Sequence, residues 1–181
     1  VSSENNTTTI ADEQLRVDAG TQLLVSVSSM HQPLSLLPTG MSGNLLIVSS
    51  QAPATVEQAL RDRGIDPTTA GLVPISGSEI EYDGPLWTSE PVVPDDLTGL
   101  SMRFTSALDA LEPGHGWVLF DSLNALAMYA QADRVCRCFD HLAEKARERD
   151  LRGVYTVAAD ALDDETTRSF ERSVDRTLDR R

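Results

Sequence analysis

Few side chains in this chain of 181 residues stand where they could do chemistry, and Asp121 is the most suggestive. It ends an apolar run, Gly116-Trp-Val-Leu-Phe-Asp, and is followed by Ser122 and a second apolar stretch that leads into a helix. A carboxylate at a strand end can join a metal or phosphate site, or it can cap the turn that follows. Cations to help it are scarce. Lys145 is the only lysine beside fourteen arginines and lies in a helical pattern, so a phosphate loop of the G-x-x-x-x-G-K-[ST] type cannot be built anywhere. The histidines, His31, His115 and His141, are scattered. His115 precedes the strand of Asp121 and belongs at the opposite sheet edge. His31 follows the first strand and could pair with Asp121 if those two strands are neighbours, although a solvent-facing loop histidine is the commoner outcome. Cys136 and Cys138 are two apart in a helical segment, which turns them to different sides and falls short of a zinc signature. No serine nucleophile elbow, H-E-x-x-H, C-x-x-C or G-x-G-x-x-G occurs.

The elements that must position these residues are legible as alternating short apolar runs and helical periods, the pattern of an α/β protein with a mainly parallel sheet. Five strands are expected at Gln22–Ser28, Asn44–Ser49, Gly71–Ile75, Gly116–Phe120 and Gly153–Ala158, each apolar on both sides as buried parallel strands are. Helices are expected at Ala54–Arg63 after Pro53, at Asp95–Leu111 after Pro94, at Asp133–Asp150, and at Asp163–Leu178 with Phe170, Val174 and Leu178 inward. The acids Asp163, Asp164 and Glu165 suit the positive end of that last helix. Residues 1–13 are polar and aperiodic and read as a flexible tail, leaving residues 14–181 as one domain. Residues 76–94, with Asp83-Gly84-Pro85 as a turn, read as a long excursion or small hairpin. Within it Tyr82 and Trp87 are candidate partner-binding aromatics; for Trp87 the competing role is to pin the excursion to the core.

Composition narrows the function classes. The net charge is −13, of which residues 1–100 carry −10 and residues 101–181 carry −3. So negative a surface disfavours nucleic acid and anionic membrane. The arginines at 134, 137, 147, 149 and 152 are interleaved with acids and read as a solvated helix face. No apolar run is long enough to span a membrane, and the cysteine usage fits a reducing cytoplasm.

The segment Gly116-Trp-Val-Leu-Phe-Asp-Ser-Leu-Asn-Ala-Leu126 resembles the Walker B strand of RecA-like ATPases, most closely the KaiC branch. The resemblance continues through the helix, strand and final amphipathic helix that follow, and upstream through Asn44-Leu-Leu-Ile-Val-Ser-Ser-Gln-Ala-Pro53. It implies a three-layer α/β/α fold, a P-loop NTPase sheet of five mostly parallel strands with the first between the fourth and fifth, and a nucleotide site. In that family the matching aspartate helps to hold Mg²⁺ of ATP, which makes Asp121, Ser122 and, through the loop after the first strand, His31 the candidate nucleotide-binding residues. This chain departs from the pattern twice more. Ser50-Gln51-Ala52 stands where a pair of glutamates would activate water, and Ser28–Gly43 holds two glycines, two prolines and no lysine where the phosphate loop belongs. A receiver-type phosphoacceptor, the other common strand-end aspartate, needs a lysine on a later strand, and Lys145 is in a helix.

The chain is therefore similar to short, degenerate haloarchaeal KaiC/RecA-like proteins, some of them described as halobacterial-transducer-like. The resemblance implies a non-catalytic pseudo-ATPase with no catalytic residues, metal or cofactor, acting in the cytoplasm through a protein partner in signal transduction, as a monomer or homodimer. The alternative it leaves open is weak ATP/Mg²⁺ binding through Asp121. Acid excess with almost no lysine also resembles proteins of salt-accumulating halophiles. On that reading the protein unfolds when salt is removed, and a melting temperature indifferent to molar KCl, followed by circular dichroism, would refute it.

Overall fold

Chain segments with apolar side chains on both faces must be covered from both sides, and this requirement organises the computed structural model, which describes residues 17–38, 41 and 43–181. The expected tail, residues 1–13, lies outside the described residues. Among those described, seven strands form one sheet: β1 (Gln22–Val27), β2 (Leu45–Ser49), β3 (Ala70–Pro74), β4 (Trp87–Thr88), β5 (Trp117–Asp121), β6 (Arg152–Val157) and β7 (Arg176–Arg180). Their order is β4-β3-β2-β5-β6-β1-β7 and every pairing is parallel. The helices are α1 (Pro53–Asp62), α2 (Leu97–Leu108), α3 (Asn124–Ala127), α4 (Ala132–Glu148) and α5 (Asp164–Glu171).

The expected five strands and the α/β class are observed, but the sheet has seven strands and differs in three places. First, β1 does not lie between the fourth and fifth expected strands, which pair directly as β5 and β6; it lies on the far side of β6. Gly153 makes room there, since a Cβ at that position would run into Gln22 and Tyr155. Second, the last helix stops at Glu171 and the chain turns into β7. The four-residue spacing of Phe170, Val174 and Leu178 suits a helix, yet β1 would otherwise present a bare edge of N–H and C=O groups. A five-residue ladder from Leu23 to Val27 against Arg176 to Arg180 satisfies it, and Leu178 is buried from the strand. Third, the excursion is not a hairpin: β4 returns parallel to β3, and Ile75 bridges Val92.

Local signals place the helix starts. Pro53 opens α1, Asp96 accepts the Gly99 N–H at the start of α2, and Asp163 accepts the Thr166 N–H at the start of α5. That backbone hydrogen bond holds the Asp163 carboxyl below its ordinary pKa. The apolar faces of α2, α4 and α5 cover one side of the sheet, with Phe139 packed edge-on against Tyr155 and Phe170. The other side is thinner: α1 supplies Val56, Ala59 and Leu60, and the rest of the cover comes from loops.

One polar network is buried where β1, β6 and β7 meet. Gln22 is fully buried; its Oε1 accepts the Tyr155 hydroxyl at 2.7 Å, and its Nε2 donates to the carbonyls of Leu151 at 2.8 Å and Gly20 at 3.0 Å. The Gln22 N–H donates to Asp175 Oδ2 at 2.8 Å, locking the entry to β7. With each of these groups partnered, the network stabilises rather than costs. Burial pushes the Tyr155 hydroxyl well above the ordinary value of 10.0. Tyr155→Phe strands Gln22 Oε1 and is expected to lower stability by about 1–3 kcal/mol in urea titrations. A raised pKa contributes stability that is intact below pH 10.0 and lost as pH rises toward the folded value. Tyr155 should accordingly ionise only as the protein unfolds, seen as coincident absorbance and circular-dichroism transitions.

Candidate functional site

Because all the strands run the same way, the ends of β2, β5 and β6 come together at one edge. Asp121 closes β5 on the α1 side of the sheet, in register with Ser49 at the end of β2. Its Oδ1 accepts the hydroxyl of Thr156 on β6 at 2.7 Å and faces His31 Nε2 at 3.0 Å. Both side chains are largely buried, 18% exposed for His31 and 12% for Asp121. The other ring nitrogen of His31, Nδ1, faces the Ser28 carbonyl at 2.7 Å. Both nitrogens thus meet oxygens that only accept, so both contacts are hydrogen bonds when the ring carries a proton on each nitrogen. His31 and Asp121 meet although β1 and β5 are not neighbours; the loop after β1 crosses over Thr156 of the intervening β6.

That loop belongs to the segment in which the resemblance would place a phosphate loop. After His31 it forms a single 3-10 turn, Pro33–Leu36, and drops Leu34, Leu36 and Leu37 onto the sheet. All three are buried, Leu37 at 1% exposure, against strand residues that include Val25, Ile47 and Leu119. Arg63 at the end of α1 donates to the Leu37 carbonyl at 2.7 Å and pins the far end of the turn. The loop therefore acts as an apolar lid on the sheet.

The remaining candidates are spread out. Ser122 joins Asp121 through a cis peptide bond, and its carbonyl accepts the Ala125 N–H. The loop is fixed to β6 by Asn124, whose amide both donates to and accepts from the backbone of Ala158. Tyr82 donates its hydroxyl to Glu57 of α1 and accepts the Leu86 N–H, while Leu86 itself is buried. Tyr82 and Leu86 thus pin the excursion, the task that competed for Trp87; burial and the neighbouring Glu57 raise the Tyr82 pKa. Trp87 is 54% exposed. His115 lines a hollow at the opposite edge of the sheet from Asp121, as its place in the sequence implies. Cys138 is buried and Cys136 half-buried, and desolvation raises both thiols, which disfavours the reactive thiolate.

Thr156 and Ser49 are not singled out by the sequence pattern. Ser49 closes an apolar strand and Thr156 lies one residue before the end of another, which is a usable signal, but which strand end lies beside Asp121 depends on strand order. Ser49, 2% exposed, accepts the Gln51 N–H at 3.1 Å and caps β2. The stretch Ser50-Gln51-Ala52 follows directly and brings no carboxylate to the Asp121 corner.

The match to a family model runs over residues 20–179, and the chain belongs to that family, DUF7504, a family of unknown function. No curated protein matches it. The family span takes in the whole sheet except the last residue of β7, and so includes His31, Asp121 and Thr156.

Thr156→Val keeps the shape of the side chain but removes the donor to Asp121 and should cost about 1–3 kcal/mol in chemical unfolding. His31→Ala should free the turn Pro33–Leu36, read as faster hydrogen exchange at the Leu37 amide than in the wild type.

Proposed function

We propose that this chain is a RecA/KaiC-like domain that has lost its nucleotide site and works by binding another protein, as a regulatory or signal-transduction module of a halophilic archaeon. The observation that carries the reading is the state of Asp121. Its Oδ1 is committed to Thr156 and His31, and the loop beside it is an apolar lid anchored by Leu34, Leu36 and Leu37. Phosphoryl transfer depends on positioned cations and a positioned base. The corner offers one histidine already spent on a carboxylate, no lysine, and Ser-Gln-Ala where a base would act.

Charge supports the same reading. The loop that follows β6 carries Asp160 and Asp163, the first turn of α5 adds Asp164 and Glu165, and Asn124 ties that loop to the loop of Asp121. Acids so placed repel a polyphosphate. Meanwhile Met30, Met128 and Tyr129, in loops of that edge, are 90%, 75% and 63% exposed. Methionine and tyrosine are types enriched in protein interfaces. No helix among the described residues is long and apolar enough to cross a membrane. The reading puts the protein in the cytoplasm as a monomer or homodimer, with the acid excess and lone lysine serving solubility in concentrated salt.

Calorimetry with Mg·ATP in molar KCl tests it. We expect no binding heat at micromolar protein. Micromolar affinity that vanishes in Asp121→Ala, with the variant still folded, would replace the proposal with a nucleotide-binding protein that uses Asp121, Ser122 and His31.

A further inference from the structure

At the amino edge of the sheet, opposite Asp121, a hollow of about 470 Å³ opens between the starts of β2 and β3, the end of α2 and the indole of Trp87. Its size is that of a small-molecule pocket. Its walls are mostly apolar, from Leu45, Gly71, Ala107, Ala110 and Leu111, and none of the residues lining it is ionisable. That matters in a chain in which 24% of residues are charged. A charged ligand would give up hydration there with no counter-charge in return. A neutral one would not.

Two features give the hollow a direction. Gly71 lets the Trp87 ring lie across β3, because a Cβ there would come within 3.0 Å of the indole. The half-exposed indole thus forms a wall of the hollow instead of packing into the core. Asn44 lines both this hollow and an adjoining one of about 590 Å³ that includes His115 and Glu112. Its backbone is in the left-handed region at φ 57°. It is held there by the Asn44 N–H donating to the Thr69 carbonyl at 2.9 Å and the Trp117 N–H donating to the Asn44 carbonyl at 3.0 Å. Asn44 Oδ1 accepts the Glu112 N–H at 2.9 Å, which settles the orientation of the side-chain amide. Its NH₂ group, which can only donate, has no acceptor among the described residues.

We propose that this hollow binds a neutral, planar small molecule bearing a hydrogen-bond acceptor, packed against Trp87 and held by the Asn44 amide. The site is independent of the lost nucleotide site, since it lies at the other edge of the sheet and uses none of the same residues.

Benzamide, neutral and planar with a carbonyl acceptor, is the probe, with toluene as the partner lacking an acceptor; amide shifts in NMR titrations of the whole chain are the readout. Saturable shifts at Gly71 and Thr69 are expected. Trp87→Ala and Ala110→Leu, the second filling the hollow from an exposed position, should each weaken benzamide about tenfold or more. Asn44→Asp keeps the acceptor for Glu112 but loses the donor. It should weaken benzamide about tenfold while changing toluene by less than about twofold. No shift at Gly71 and Thr69 up to the solubility of benzamide would overturn the proposal, as would unchanged affinity in Ala110→Leu. That variant keeps the test decisive should Trp87→Ala fail to fold.

Discussion

The parallel direction of all seven strands is the constraint from which the rest follows. Parallel neighbours cannot be joined by tight turns, so each connection must travel back along the sheet, and most do so through a helix. The same geometry gathers the ends of β2, β5 and β6 at one edge, where Ser49, Asp121 and Thr156 stand on a common face. An antiparallel arrangement would have scattered them. The loop that leaves β1 from this edge carries His31 across β6 to complete the corner.

The two faces of the sheet are covered unequally. α2, α4 and α5 give one face a continuous apolar layer, while α1 alone serves the other. The shortfall is met by Leu34, Leu36 and Leu37 from the loop after β1, so a segment that could have been a binding loop is committed to burial. Each such leucine contributes about 1.5–3 kcal/mol when fully buried, which ties the lid to the stability of the domain. The arrangement of the Asp121 edge and the packing of the α1 face therefore depend on one segment.

Strands were legible wherever an apolar run is flanked by glycine, proline or acids, as at Gly116-Trp-Val-Leu-Phe-Asp, because burial on both faces leaves a continuous signature. Helix starts were legible from Pro53, Pro94 and Asp163, whose effects are local. β7 was not, because Arg176-Thr-Leu-Asp-Arg180 holds a single apolar residue and becomes a strand only through the free edge of β1. The position of β1 was hidden for a related reason. The space left by Gly153 and the bond between Tyr155 and Gln22 join residues more than 130 apart in the chain.

By itself the sequence determined the α/β class, the five principal strands, the strand-end position of Asp121 and the lack of any lysine to hold phosphate, since these rest on local patterns and residue identity. Only the tertiary structure decided that Asp121 meets Thr156 and His31, that the loop after β1 closes over the sheet, and that Asn44 and Trp87 frame an uncharged hollow. Those outcomes depend on strand order and on which residues share a face, and both are set by long-range pairing and burial that no local pattern encodes.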